Sequence, residues 1–232
     1  MVWRRKAADV TDAPQPERAP PRRPLATRQK AWAQALARTL TRAGLSPNSI
    51  SLAGLVFGVC AGIALWYTGR AGGALRVVLL LGSAALIQLR LLCNMLDGMV
   101  AIEGGRKTAY GEIFNDVPDR FADLAILVGA GYSLTAFPWG RELGWLAGTL
   151  AVLTAYIRLL GGSMGVPQYF LGPMAKPHRM ATMTVACVLS TLEPLVGWRG
   201  QIIAFALALI IAGAIVTFIR RTRRIVADVS AR

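Results

Sequence analysis

Residues 94–123 read NMLDGMVAIEGGRKTAYGEIFNDVPDRFAD and run directly into an apolar stretch, LAILVGAGYSLTAF, at 124–137. Half of the chain's twelve Asp and Glu residues fall in the first of these stretches: Asp97, Glu103, Glu112, Asp116, Asp119 and Asp123. The 14 residues of the apolar stretch are too few to cross the hydrocarbon core of a bilayer alone, which takes about 20. The acidic half must therefore be helical too and lie within the membrane, so that one span covers 111–137. On that helix Glu112, Asp116, Asp119 and Asp123 follow one another at intervals of 4, 3 and 4 residues, which places them on a single stripe. Asn115 lies beside the stripe, and on the preceding span Asn94 and Asp97 are one helical turn apart.

The rest of the chain supports a membrane setting. Of its 232 residues, 54% are hydrophobic and only 16% charged, with a mean hydropathy of +0.47. That composition excludes an ordinary soluble globule, a disordered protein and a small disulfide scaffold. Further spans are expected at 49–69, 77–96, 143–162 and 201–219, with a shorter one at 180–197, making six in an all-α integral membrane protein. Residues 1–25 are rich in Pro, Arg and Ala and read as a disordered basic tail. Over 26–45, Trp32, Leu36, Leu40 and Leu45 alternate with Arg28, Lys30, Arg38 and Arg42, the pattern of an amphipathic helix in the membrane interface. The six-helix unit is expected over 46–224, with a short C-terminal tail at 225–232. Cys60, Cys93 and Cys187 all sit in apolar stretches, and an odd count there argues for buried free thiols rather than disulfides.

The net charge of +14 is read by position. With six spans and both termini on one side, that side collects most of the Lys and Arg, and the opposite loops hold only Arg70, Arg76, Arg141 and Arg199. By the positive-inside rule both termini are cytoplasmic. The basic excess is thereby explained without nucleic acid as a partner.

An ionisable residue within a membrane is expensive and marks a functional site by default. Asn94, Asp97, Asn115, Asp116 and Asp119 offer oxygen ligands, with no His or Cys among them, the donor set of hard cations such as Mg²⁺ or Mn²⁺. The competing reading pairs the acids with Arg90, Arg106, Lys107 and Arg120. Gly98, Ala101, Gly104, Gly105 and Gly111 lie between the two acidic helices, and small residues beside acids make room for a bulky phosphate-bearing ligand. Arg158, Lys176 and Arg179 fall on the same side and form a candidate site for an anionic acceptor, a pattern that ordinary positive-inside flanking charge explains equally well. His178, the one histidine, is expected to be exposed.

The stretch resembles the CDP-alcohol phosphotransferase family, whose signature is D-x-x-D-G-x-x-A-R, eight residues, G, three residues, D, three residues, D. Asp97, Gly98, Ala101, Gly111 and Asp119 match it by identity and all the spacings fit; Asn94, Ile102 and Asn115 depart from it. The resemblance implies a six-helix membrane enzyme of a bacterial inner membrane, with its site open to the cytoplasm. It implies transfer of a phosphatidyl-type group from a CDP-linked lipid, CDP-diacylglycerol first among them, to an acceptor alcohol with release of CMP. In that frame two divalent cations, Mg²⁺ or Mn²⁺, neutralise the pyrophosphate, held by Asn94, Asp97, Asn115, Asp116 and Asp119. Asp119 is then the general base, and Gly98, Ala101 and Gly111 make room for the nucleotide. Asn keeps a carbonyl oxygen for a hard cation, but two negative charges of the pattern are gone. Membrane lipids are partners by setting, and a homodimer is implied by the family alone. The alternatives are a noncatalytic relative that binds CDP-lipid, and a transporter that uses the acids as a cation path.

Overall fold

The structure is a computed structural model and describes residues 30–103 and 111–231, with the side chains of Glu103 and Glu112 left aside. The basic tail at 1–25, the first turn expected of the amphipathic helix, and Gly104, Gly105, Arg106 and Lys107 lie outside the described residues. Everything described is helix, turn or loop: α1 (Ala31–Arg42), α2 (Pro47–Thr68), α3 (Gly73–Glu103), α4 (Gly111–Ser133), α5 (Gly140–Ser163), α6 (Lys176–Leu189) and α7 (Gln201–Ser230), with a short 3₁₀ turn at Glu193–Val196. The chain is an all-α integral membrane protein.

Four of these helices are long and apolar enough to cross a bilayer: α2, α3 up to Ile102, α5 and α7. The fold therefore carries four clear spans. Helix α4 is one continuous element as expected, its acidic first half helical, but its charges keep it out of that set. Helix α6 has 14 residues, which at 1.5 Å per residue falls short of a hydrocarbon core of about 30 Å. It starts four residues before the expected span because Pro177 stands in its first turn, where a missing N–H costs nothing. It ends at Leu189, before the 3₁₀ turn that holds Glu193. Helix α7 continues through 225–230, where a tail was expected, because Ile225 packs with Ile157 and Val166.

Neighbouring helices close a ring in the order α3, α2, α4, α5, α7, α6 and back to α3, with α1 lying on α3. Ser46 caps α2, its Oγ accepting the Ser49 N–H at 3.1 Å, with Pro47 in the first turn. The buried Ala33 and Ala37 of α1 meet Met95, Leu96, Met99 and Val100 of α3, while Trp32 is half exposed.

Small residues set the spacing of α2 against α4. A Cβ built at Gly62 would run into the Ala125 carbonyl, and one at Gly129 into the Gly62 carbonyl. Gly58 faces Ala122 in the same seam. The glycine face of α2 is thus used within the chain, bringing the two backbones together as small residues do between membrane helices. It also fixes α4 at the depth where its acids meet α3. The three cysteines are free, with Cys187 buried and Cys60 exposed.

Gly62→Val is expected to force this seam apart at a cost of about 1–3 kcal/mol. The measurement is thermal unfolding in detergent, where the Tm should fall well below that of Gly82→Val. Gly82 has no atom within 4 Å of a built Cβ.

Candidate active site

The acids of α3 and α4 meet near one end of the ring, and each described one is partnered within the protein. Asp97, 3% exposed, accepts from Ser51 Oγ of α2 at 2.7 Å through Oδ2 and from its neighbour Gly98 N–H at 2.5 Å through Oδ1. Asp119, 7% exposed, accepts from Arg90 Nη2 at 3.2 Å. It also accepts from the Asn94 amide and from the Lys176 ammonium in short contacts. The same ammonium donates to Asn94 Oδ1. Lys176 therefore sits between the amide of α3 and the carboxylate of α4.

Asp123 is buried one turn deeper, with Oδ1 2.5 Å from Arg90 Nη2 and Oδ2 2.9 Å from Arg179 Nη2. Arg90 also donates to the Asp119 backbone carbonyl at 3.1 Å. Arg179 is held as well by the Met174 carbonyl and Thr154 Oγ1. Asp116, nearer the surface, accepts from Arg120 at 2.7 Å and Arg158 at 3.1 Å. Asp97, Asp116, Asp119 and Asp123 carry four negative charges, against five positive ones on Arg90, Arg120, Arg158, Lys176 and Arg179.

This arrangement brings together Asn94, Asp97, Asp119 and Lys176. Asn115 is exposed on α4, away from the buried set. Of the three basic residues assigned to an acceptor, Lys176 lies inside the acid cluster and Arg179 is 2% exposed on Asp123. Arg158 is partly buried on Asp116, with its guanidinium also over the Phe170 ring. Gly98 is half-buried, its N–H turned to Asp97. Ala101 and Gly111 are half-buried at the ends of α3 and α4. His178 is exposed, as expected.

The pairing of acids with Arg90 and Arg120 is present, and Arg106 and Lys107 lie outside the described residues. Sequence reasoning did not find Ser51 as a partner of Asp97, nor Arg179 as the partner of Asp123. Ser51 sits in an apolar helix 46 residues away, and no spacing rule links the two. Arg179 reads as a flanking charge until α6 is seen to enter the ring with its N-terminus beside α4.

Among the described residues no three His, Cys, Asp or Glu side chains converge as a metal site requires. The donors that do converge, Asp97 and Asp119 with the Asn94 amide oxygen, are all oxygen and carry two negative charges. By donor chemistry that set suits one hard divalent cation rather than the two that the resemblance implies, and Arg90 and Lys176 already answer the charge of Asp119.

No family model matches the chain. It is 27% identical over 159 residues to the phosphatidylinositol phosphate synthase of Mycobacteroides abscessus, a match covering 67% of each chain. It is 25% identical over 202 residues, 82% of each chain, to the enzyme of the same name from Mycolicibacterium smegmatis. Both relatives are in keeping with the resemblance to the CDP-alcohol phosphotransferases. Its fold is shared with the crystal structure of Mycobacterium tuberculosis phosphatidylinositol phosphate synthase with CDP-DAG bound, at a TM-score of 0.69 and 21% identity over 83% of this chain and 92% of that one. A second structure of that protein, in complex with manganese and citrate, also aligns at a TM-score of 0.69 and 21% identity, over 83% of this chain and 88% of that one.

Arg90→Met is expected to leave Asp123 short of a counter-charge in a buried site, a loss of about 3–5 kcal/mol. Arg224→Ala removes an exposed pair with Asp228 and should lower the Tm far less. Thermal unfolding of the two variants in the same detergent checks the contrast.

Proposed function

We propose that this protein is a CDP-alcohol phosphotransferase that transfers a phosphatidyl group from a CDP-linked lipid, CDP-diacylglycerol in the first instance, to an acceptor alcohol and releases CMP in phospholipid biosynthesis. The observation that carries the reading is the meeting of Asp97 and Asp119 with Asn94 inside a membrane helix ring. The acids lie in the D-G-x-x-A…G…D spacing, in a fold shared with a structure that holds CDP-DAG.

The acceptor hydroxyl oxygen attacks the phosphorus that bears the diacylglycerol, the bond from that phosphorus to the bridging oxygen breaks, and CMP leaves. Asp119 receives the hydroxyl proton as general base. Arg90 and Lys176 hold that carboxylate in place, and Ser51 and the Gly98 N–H fix Asp97. Gly98, Ala101 and Gly111 leave space along α3 and α4 for the cytidine nucleotide. A divalent cation, Mg²⁺ or Mn²⁺, held by Asp97, Asp119 and the Asn94 oxygen, would neutralise the pyrophosphate. The manganese in the related structure supports it. Asn115 and Asp116 lie outside that trio, and Asp116 serves to hold Arg158 and Arg120 at the rim. Of the three basic residues assigned to an acceptor, Arg158 at the rim is the one we assign to a phosphate on it.

The setting follows from the same residues. Helix α4 would be a fifth span, and α6 continued by the 3₁₀ turn at Glu193–Val196 a sixth, their charges turned to one another rather than to lipid. Helix α1 lies in the interface with Trp32 at headgroup level. The concentration of Lys and Arg at the termini and at the acidic end supports a site that opens to the cytoplasm, and we read the membrane as a bacterial inner one.

Purified protein in detergent, given CDP-diacylglycerol, Mg²⁺ or Mn²⁺ and a panel of alcohols that includes phosphorylated polyols, should release CMP only when the right acceptor is present. Asp119→Asn should lower that rate by about 100-fold or more. CDP-diacylglycerol binding with no CMP release for any acceptor overturns catalysis in favour of a noncatalytic binder.

A further inference from the structure

The placement of Lys176 is the feature that the proposed reaction does not by itself explain. Its ammonium is bonded to Asn94 Oδ1 and Asp119 Oδ2, two of the oxygens that would otherwise face a hard cation. We propose that the Lys176 ammonium is a tethered counter-cation that takes a divalent ion's place at Asn94 and Asp119, and that a divalent cation reaches those oxygens only by displacing it. The inference rests on the reading of this site as a phosphotransferase centre.

Three observations converge on it. An amide at 94 leaves Asp119 as the one charged group on this pair of oxygens, so a single positive charge balances it. Lys176 is positioned by backbone, not by chance reach. Ala175 is extended and Pro177 stands in the first turn of α6, so Lys176 opens that helix, and Arg179 one turn on is locked to Asp123. The neighbouring Arg90, 1% exposed, adds a second fixed positive charge on Asp119, which repels any further cation. A lysine is a compact point charge with three donors. It supplies neutralising charge beside a pyrophosphate while leaving the oxygens it holds in a fixed geometry.

The test is Mn²⁺ binding, read by electron paramagnetic resonance of the free ion, on the purified full chain without donor or acceptor. Lys176→Gln keeps hydrogen-bond donors for Asn94 and Asp119 but removes the charge. It is expected to tighten Mn²⁺ binding by about tenfold or more, whereas Lys176→Arg should not. Asn94→Asp with Lys176 in place should stay within about threefold of the wild type, because the ammonium neutralises the added carboxylate. Equal Mn²⁺ binding by wild type and Lys176→Gln, including no binding by either, overturns the proposal. So does a gain of tenfold or more from Asn94→Asp alone. Since no CDP-lipid enters the measurement, a failed CMP assay leaves its result intact, and the reverse also holds.

Discussion

A guanidinium buried between two carboxylates ties this ring of helices together at its charged end. Arg90 reaches from α3 to both Asp119 and Asp123 of α4, and Arg179 of α6 closes on the other oxygen of Asp123. Ionised groups are costly at this depth, and the attraction between them repays that cost only when geometry and hydrogen bonds are good. Three helices are therefore held in one register, since a slide of any one would strand a charge. The glycine seam between α2 and α4 makes that register possible by letting α4 approach closely enough for its acids to meet α3.

The far end is built on the same logic with different parts. Glu193, fully buried, accepts from Arg76 of α3 at 2.6 Å and from the Gly200 and Ile202 N–H groups at 2.8 Å each. One carboxylate thus answers an arginine and the open backbone donors at the start of α7. Its sequence neighbours give no sign of this, because Gly200 has a φ of 99° that turns the chain back over it. That anchor leaves the opposite end to differentiate. There the polar groups are more numerous, less uniformly buried, and set around a lysine that bridges two helices.

Chemistry and packing share these residues. Asp123 and Arg179 are sealed inside the bundle and serve to hold the helices. Asp119 stands one turn nearer the start of α4, where it meets Asn94 and Lys176. A transferase needs positioned charge more than it needs mobile groups, because phosphoryl transfer gains chiefly from electrostatic preorganisation. Asp119, the base in the proposed reaction, is held by three donors and would be preorganised in that sense. Arg158, clasped by Asp116 and stacked on Phe170, is the corresponding fixed charge on the rim.

Helical character, membrane residence, the continuity of α4 through its acidic half and the family pattern from Asp97 to Asp119 were all legible in the sequence. Each depends on local spacing, and a period of 3.6 residues or a run of apolar ones is a property of neighbours in the chain. The spacing also put Asp116, Asp119 and Asp123 on one stripe without saying which would be buried. Only the tertiary structure decided that Asp97 answers to Ser51, that Asp123 belongs to Arg90 and Arg179, and that Lys176 lies between Asn94 and Asp119. Those pairings join residues 25 to 82 positions apart. They depend on how closely two backbones approach and on where α6 enters the ring, and a one-dimensional pattern carries neither quantity. A positive charge near a membrane face reads as topology until the fold shows which carboxylate it neutralises.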